Sequence, residues 1–209
     1  AIIANIEDIE YSYPVLYLSR RLLADTGGAG KYRGGNTLEM TYIPHGVDRL
    51  PTKIMHAIGT YQPGAVGVFG GYPSNTNQFV IKRSTDIQAL LAGGTLSGNL
   101  DTMAGELELF TESIVKTSQE RDDVHQYIAM GGGGYLDPLD RDPELVLTDY
   151  INGAVSLGHA HDCYGVVVDP DEPRLDRGAT DARRAAIRVD RRASAAKPDP
   201  SMISDPGTG

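Results

Sequence analysis

The stretch Met130-Gly131-Gly132-Gly133-Gly134-Tyr135-Leu136-Asp137-Pro138-Leu139-Asp140-Arg141-Asp142-Pro143-Glu144 constrains the fold more than any other. Its four glycines reach backbone conformations closed to other residues and let another surface approach the main chain. Asp137-Pro138 and Asp142-Pro143 fix two turns, because proline locks its own φ and restricts the residue before it. Pro143 stands where a first helical residue would, and Glu144 adds negative charge to the first turn. The segment therefore reads as a glycine loop handing over to a rigidly started helix. A free linker would need neither Tyr135 nor two Asp-Pro turns, so the loop is expected to be packed against protein. Replacing Gly132 with valine is expected to disrupt folding or assembly, since a β-branched side chain resists positive φ and blocks close approach.

Taken in order, Ile9 to Tyr13 alternates and predicts a strand ended by Pro14. Val15 to Leu23 suits a largely buried strand. Asp25 to Gly35 holds too many glycines for regular structure and must be a shaped loop. Thr37 to Ile43 alternates most cleanly of all. Pro44-His45-Gly46 then predicts a turn into a returning partner, Lys53 to Thr60. From Gln62 to Asn77 runs a Gly/Pro/Asn-rich loop, and a loop of that length is usually functional or packed against a partner. Gln78 to Lys82 predicts a strand. Ser84 or Thr85 caps a short helix through Leu91, which Gly93-Gly94 stops. Leu107 to Val115 is β-like or mixed, and Asp123 to Ala129 is a strand entering the glycine loop.

Past Pro143, the spacing of Leu145, Leu147, Tyr150 and Ile151 predicts an amphipathic helix closed by Asn152-Gly153. Ser156 opens a second helix with Ala160 and Cys163 on its inner face, ending at Tyr164-Gly165. Val166 to Asp169 is a short strand. Thr180 to Ala195 predicts a basic helix with Ala182, Ala186, Val189 and Ala193 along one stripe, weakly held to any core. That helix suits either docking on an acidic partner or plain solvation. Lys197 to Gly209 has the composition of a disordered tail. The expected fold is α+β, β-rich with long glycine-rich loops and helices concentrated in the C-terminal third. Residues 1–169 form one region and 170–209 a terminal helix and tail.

A net charge of −9 argues against general binding to nucleic acid or anionic membranes. The single cysteine, Cys163, rules out an internal disulfide and fits a reducing cytoplasm. No apolar run approaches membrane-spanning length. Chemical candidates are few. Lys31 and Arg33 beside the glycines offer either an anion site or two solvated cations on turns. His45 and His56 share the expected hairpin but match no zinc signature. His159 and His161 lie two apart on a helix and point to different faces, so they cannot chelate one metal together. Cys163 is read as a small buried apolar residue before a nucleophile. No complete active-site constellation is present.

Four blocks in order carry a resemblance. They are Asp25 to Gly35, Phe69-Gly70-Gly71-Tyr72-Pro73, Met130 to Glu144, and Gly153-Ala154-Val155-Ser156 to Tyr164-Gly165-Val166-Val167. Together they cover roughly residues 10 to 190 and resemble the C-terminal part of the hydantoinase B/oxoprolinase family. That family includes B components of ATP-dependent hydantoinases and lactamases, and subunits of acetone and acetophenone carboxylases. Thr26 stands where serine is expected, and Leu136 where glycine is common. The resemblance implies a hydantoinase A-like ATP-binding partner, and a B-type site whose divalent-metal ligands lie in an N-terminal half that this chain does not match. It thus implies ATP and metal bound by other chains, no cofactor or metal residue here, and no catalytic residue to transfer. The chain is expected to be a split gene product or processed piece, cytoplasmic and working only in a hetero-oligomer. Leu16 to Arg21 and Val68 to Pro73 look closer to the carboxylase branch, where ATP would activate bicarbonate and a ketone enol to give a β-keto acid. Hydrolysis of a cyclic amide, or a purely structural subunit, are the alternatives.

Overall fold

A computed structural model describes residues 4–195. Helix α1 (Ile6–Ser12) comes first, where alternation suggests a strand. Asn5 supplies the reason: its side chain accepts the Ile6 N–H, and Glu7 and Asp8 follow in the first turn. The helix lies against β1 (Val15–Leu22), whose Tyr17 N–H donates to Glu10 Oε1 at 2.8 Å. β1 is only half-buried along most of its length, because α1 covers part of it and its end is exposed.

β2 (Leu38–Pro44) pairs antiparallel with β1, matching Val15 to Pro44 and Leu22 to Leu38. The expected hairpin with the next strand does not form. β3 (Arg49–His56) pairs instead with β6 (Ile114–Glu120) in a separate two-stranded sheet. Both edges of β2 are already occupied, one by β1 and the other by β7 (Val124–Ile128). β4 (Gln78–Arg83) and β5 (Glu106–Phe110) complete a five-stranded antiparallel sheet in the order β1-β2-β7-β4-β5. The mixed stretch after Leu107 proves to be a corner, with β5 in one sheet and β6 in the other.

One face of the large sheet packs Leu18, Ile43, Val80 and Val124 against α2 (Ile87–Ala92), Leu100 and Met103. Asp86 occupies the cap position of α2, while the Thr85 hydroxyl accepts the Ile87 N–H at 3.2 Å. The opposite face packs Phe79 and Ile81 against Met55, Ala57 and Val115 of the small sheet. A third core forms after the glycine loop. It joins α3 (Pro143–Ile151), α4 (Leu157–Asp162) and the short pair β8 (Val168–Asp169) and β9 (Arg174–Leu175) around the fully buried Tyr164 and Val166. Asp142, Ser156 and Asp176 cap α3, α4 and α5 (Arg177–Ser194) with their side chains. The β-rich α+β class is borne out, with three of the five described helices after the glycine loop. The Lys197 to Gly209 tail lies outside the described residues.

Three loops interlock between these cores. The segment 130–136 threads between loop 25–35 and loop 64–74, and their main chains bond directly. Gly28 N–H donates to Gly132 O at 2.8 Å, and Gly134 N–H to Tyr72 O at 2.9 Å. Val68 N–H donates to Gly134 O at 3.0 Å, and Tyr32 and Tyr135 exchange bonds at 3.1 and 3.0 Å. Asn75 stitches all three, accepting from Gly131 N–H at 2.9 Å and donating to Ala129 O at 2.8 Å, while its own N–H reaches Thr26 O at 3.1 Å.

None of Gly131 to Gly134 has positive φ, contrary to the conformational reason offered for them. Close approach is the reason that stands. A Cβ on Gly134 would overlap the Ala29 carbonyl oxygen, and one on Gly133 the Val66 carbonyl oxygen. Gly132 has more room, its nearest foreign atom being Gly35 N at 3.1 Å. The positive φ falls on Leu136, at 63°, the position where glycine is common. Thr26 keeps what a serine would supply: its hydroxyl donates to Leu23 O at 2.8 Å and accepts Thr37 N–H at 2.9 Å.

Gly134→Ala is expected to cost at least ~3 kcal/mol, because backbone on both sides blocks relaxation. Gly35→Ala, where nothing lies within 4 Å, is expected to stay within about 0.5 kcal/mol of the parent. Urea unfolding of the two variants checks the contrast.

Candidate functional site

The interlocked loops present an apolar face. Val68 to Gly71 makes a tight turn in which Phe69 and Gly70 both have positive φ, at 52° and 92°. A bulky residue in that conformation is uncommon and is held by its surroundings. The turn pushes Phe69 outward to 75% exposure, with its ring edge-on to Tyr135 at 5.8 Å. Tyr135 also meets Tyr32 at 6.0 Å, and Val66, Val68 and Tyr72 are exposed beside them. Clustered exposed aromatics on a rigid backbone are the chemistry of a protein-contact face.

Charge pairs fix this face from behind. Arg33 grips Asp149 of α3 with two bonds, Nε at 3.2 Å and Nη2 at 3.0 Å, and Arg141 adds a third at 2.8 Å. Arg33 therefore is neither a solvated cation nor an anion receptor. Several of the loop's N–H groups are also taken, those of Gly28, Lys31, Tyr32 and Gly34 all donating to carbonyls within the chain. Burial pushes the neighbouring Tyr164 hydroxyl up to about 12.

Helix α5 packs with the face opposite to the alanine stripe. Ala182, Ala186, Val189 and Ala193 are exposed, while Thr180 and Arg184 are buried and Ile187 and Arg191 partly so. The small residues lose because arginines find more to bind. Arg184 donates to Tyr164 O at 3.0 Å and Arg141 O at 2.8 Å, and Arg188 to Leu139 O at 3.2 Å. Arg191 bonds Asp137 at 3.0 Å and the Tyr72 hydroxyl at 2.9 Å, tying the glycine loop and the aromatic face to one helix. The acidic surface that the basic helix docks on is thus this chain's own.

The histidine candidates do not converge. His45 is exposed in the loop after β2, and His56 is exposed on β3 in the other sheet. His161 bonds Asp162 at 2.7 Å on the surface, and His159 lies 3.5 Å from Cys163. Burial pushes the Cys163 thiol up, helped by Asp162, which disfavours the thiolate a nucleophile needs. Among the described residues no three His, Cys, Asp or Glu side chains are grouped to hold a metal ion.

The group that sequence reading missed lies between the two sheets. Lys53 shares a strand face with buried Met55, after a bulge in the β3–β6 register between Leu50 and Lys53. Its Nζ donates to Gln119 Oε1 at 2.6 Å and sits 4.4 Å from the Tyr42 ring centre. The nearby carboxylate, Asp123, is held by Arg83 at 2.8 Å and by the N–H groups of Ser84 and Glu120. Burial first, then Arg83, lowers the Lys53 pKa to about 6, outweighing the opposite pull of Asp123. Next to it His125 is 2% exposed, and neither ring nitrogen has a hydrogen-bond partner. Burial holds His125 well below its ordinary value, and hence neutral. A lysine in phase with Met55 and Ala57 was the available signal, masked by Ile54 and Ile58 on the alternate phase.

The chain belongs to the hydantoinase B/oxoprolinase family, whose profile matches residues 1–138. Among its relatives is the acetone carboxylase alpha subunit of Xanthobacter autotrophicus, 31% identical over 90% of this chain and 26% of that protein. The caprolactamase subunit beta of Pseudomonas jessenii is 35% identical over 87% of this chain and 28% of its own length. The acetophenone carboxylase delta subunit of Aromatoleum aromaticum is 32% identical over 90% and 29%. The fold matches a nucleotide-free acetone carboxylase with a TM-score of 0.78 at 28% identity, covering 93% of this chain and 27% of that one. The ATP-dependent caprolactamase structure from Pseudomonas jessenii matches at 0.61 and 30% identity, over 87% and 28%. The chain thus spans less than a third of the length of these relatives.

Asp149→Ala leaves two arginines facing each other without their carboxylate and is expected to cost about 3–5 kcal/mol in urea unfolding. For Lys53, the unfolded chain binds the extra proton between the native value near 6 and the ordinary 10.5. Stability from this group therefore rises with pH across that window. Lys53→Met is expected to remove about 1–2 kcal/mol of the gain between roughly pH 7 and 9 and to raise stability at neutral pH.

Proposed function

We propose that this chain is a non-autonomous subunit of an ATP-dependent ketone carboxylase of the acetone or acetophenone type. The observation that carries the reading is the backbone agreement with acetone carboxylase, at a TM-score of 0.78 against 0.61 for caprolactamase. In this reading ATP phosphorylates bicarbonate, a ketone enol carbon attacks its carbon, the C–O bond to phosphate breaks with phosphate leaving, and a β-keto acid results. ATP and a divalent metal belong to other chains: a hydantoinase A-like ATP-binding subunit and the N-terminal half of a B-type subunit. The substrate is a small molecule, and the complex is cytoplasmic. The loop face around Val66, Val68, Phe69 and Tyr72 docks a partner chain, its rigid aromatics matching what protein interfaces bury.

A second reading has its own support, since the caprolactamase subunit is 35% identical against 31% for the acetone carboxylase subunit. There the complex would hydrolyse a cyclic amide at the expense of ATP. The backbone agreement with acetone carboxylase extends over 93% of the chain against 87% for caprolactamase, which favours the first reading.

The test is co-expression with the products of neighbouring genes, followed by light scattering and assay. A complex of fixed ratio that incorporates labelled bicarbonate only with ATP and a ketone is expected. ATP-dependent ring opening of a lactam or hydantoin instead would transfer the assignment to the second reading. A well-folded monomer that ignores its neighbours would refute the subunit reading altogether.

A further inference from the structure

Lys53 lies at the wall of a cavity of about 440 Å3 between α1, β1, β2 and β3. Ile9, Val15 and Leu50 line it together with Tyr17, Tyr42 and Thr52, so the space is largely apolar with tyrosines and one threonine in its wall. We propose that this cavity is a binding site for a small apolar aldehyde or ketone, which Lys53 captures covalently as an imine.

Three features of the geometry support this. The amine has only neutral partners, the Gln119 amide oxygen at 2.6 Å and the Tyr42 ring face. The carboxylate that would normally fix a buried ammonium is committed to Arg83, which also holds Glu108 at 2.7 Å. The buried His125 alongside, with both nitrogens unpartnered, adds no charge of its own, and the nearby charges of Arg83 and Asp123 are paired with each other. A pKa lowered to about 6 agrees with that placement and leaves a free electron pair at neutral pH. Nζ attacks the carbonyl carbon, and the C=O π pair moves to oxygen. The two amine hydrogens then leave with that oxygen as water, forming C=N.

The site is independent of the carboxylase reading, and its test needs neither ATP nor a partner subunit. The full chain, alone or in whatever complex it copurifies, is treated with butanal or benzaldehyde and cyanoborohydride, which reduces the imine to a stable amine. Peptide mass mapping then follows each lysine. Lys53 is expected to be labelled at least about tenfold faster than Lys31 and Lys116 near neutral pH. Reduction needs the protonated imine at every lysine, so the ratio is the readout. The advantage of Lys53 over Lys31 and Lys116 should shrink roughly tenfold per pH unit above pH 7 as their amines deprotonate. Ile9→Trp, which fills the cavity from α1 and leaves Lys53 intact, should slow labelling at Lys53 alone. Equal labelling of all three lysines, or a Lys53 rate that Ile9→Trp leaves unchanged, overturns the proposal. Labelling by butanal but not benzaldehyde would restrict the class to aliphatic carbonyls.

Discussion

Main chain lying directly on main chain is the contact from which the rest of this structure follows. Three loops from distant parts of the sequence meet at the glycine run, and carbonyl oxygens of Ala29, Val66 and Gly132 occupy the places where side chains would be. Each loop satisfies backbone donors of another, as Gly28 does with Gly132 and Gly134 with Tyr72. Such a junction has little give, since no flexible side chain stands between the backbones. It also couples the halves of the molecule, because the same segment leaves β7 of the large sheet and enters the helical core through Asp137 and Pro143.

Electrostatics locks what close approach permits. Asp149 gathers Arg33 and Arg141, joining the first glycine loop to α3. From the other side α5 lays a row of guanidinium groups over Tyr164, Leu139 and Asp137, groups that end helices or shape the loop. Arginine suits this because its planar donors bind carbonyls and carboxylates together. The aromatic face of Phe69, Tyr135 and Tyr32 is therefore preorganised, which would lower the entropy lost in the partner contact proposed for it.

Much of the architecture was legible where local chemistry decides it. The alternation of β2, the strand at β4, the Asp142-Pro143 start of α3 and the Ser156 cap of α4 all appear where the sequence places them. The misses share a cause, which is long-range competition. A clean turn after Ile43 suggests a hairpin, yet β7 takes that edge of β2 from eighty residues further on. Alternation at Ile9 to Tyr13 mimics a strand, but the Asn5 cap settles a helix. In α5 the alanine stripe looked inward because apolar spacing was the only guide, whereas acceptors for its arginines come from loops far away in sequence. The proximity of Lys53 and His125 was hidden for the same reason, since only the packing of two sheets brings them together.

The central claim is that the glycine junction is rigid structure and not a linker. Amide hydrogen exchange resolved to single residues tests it most directly. The account predicts that the N–H groups of Gly28, Tyr72, Gly134 and Leu136 exchange as slowly as those of β4 and β7, opening only with global unfolding. Exchange of those four amides at the rate of an exposed loop, while β4 and β7 stay protected, would contradict it.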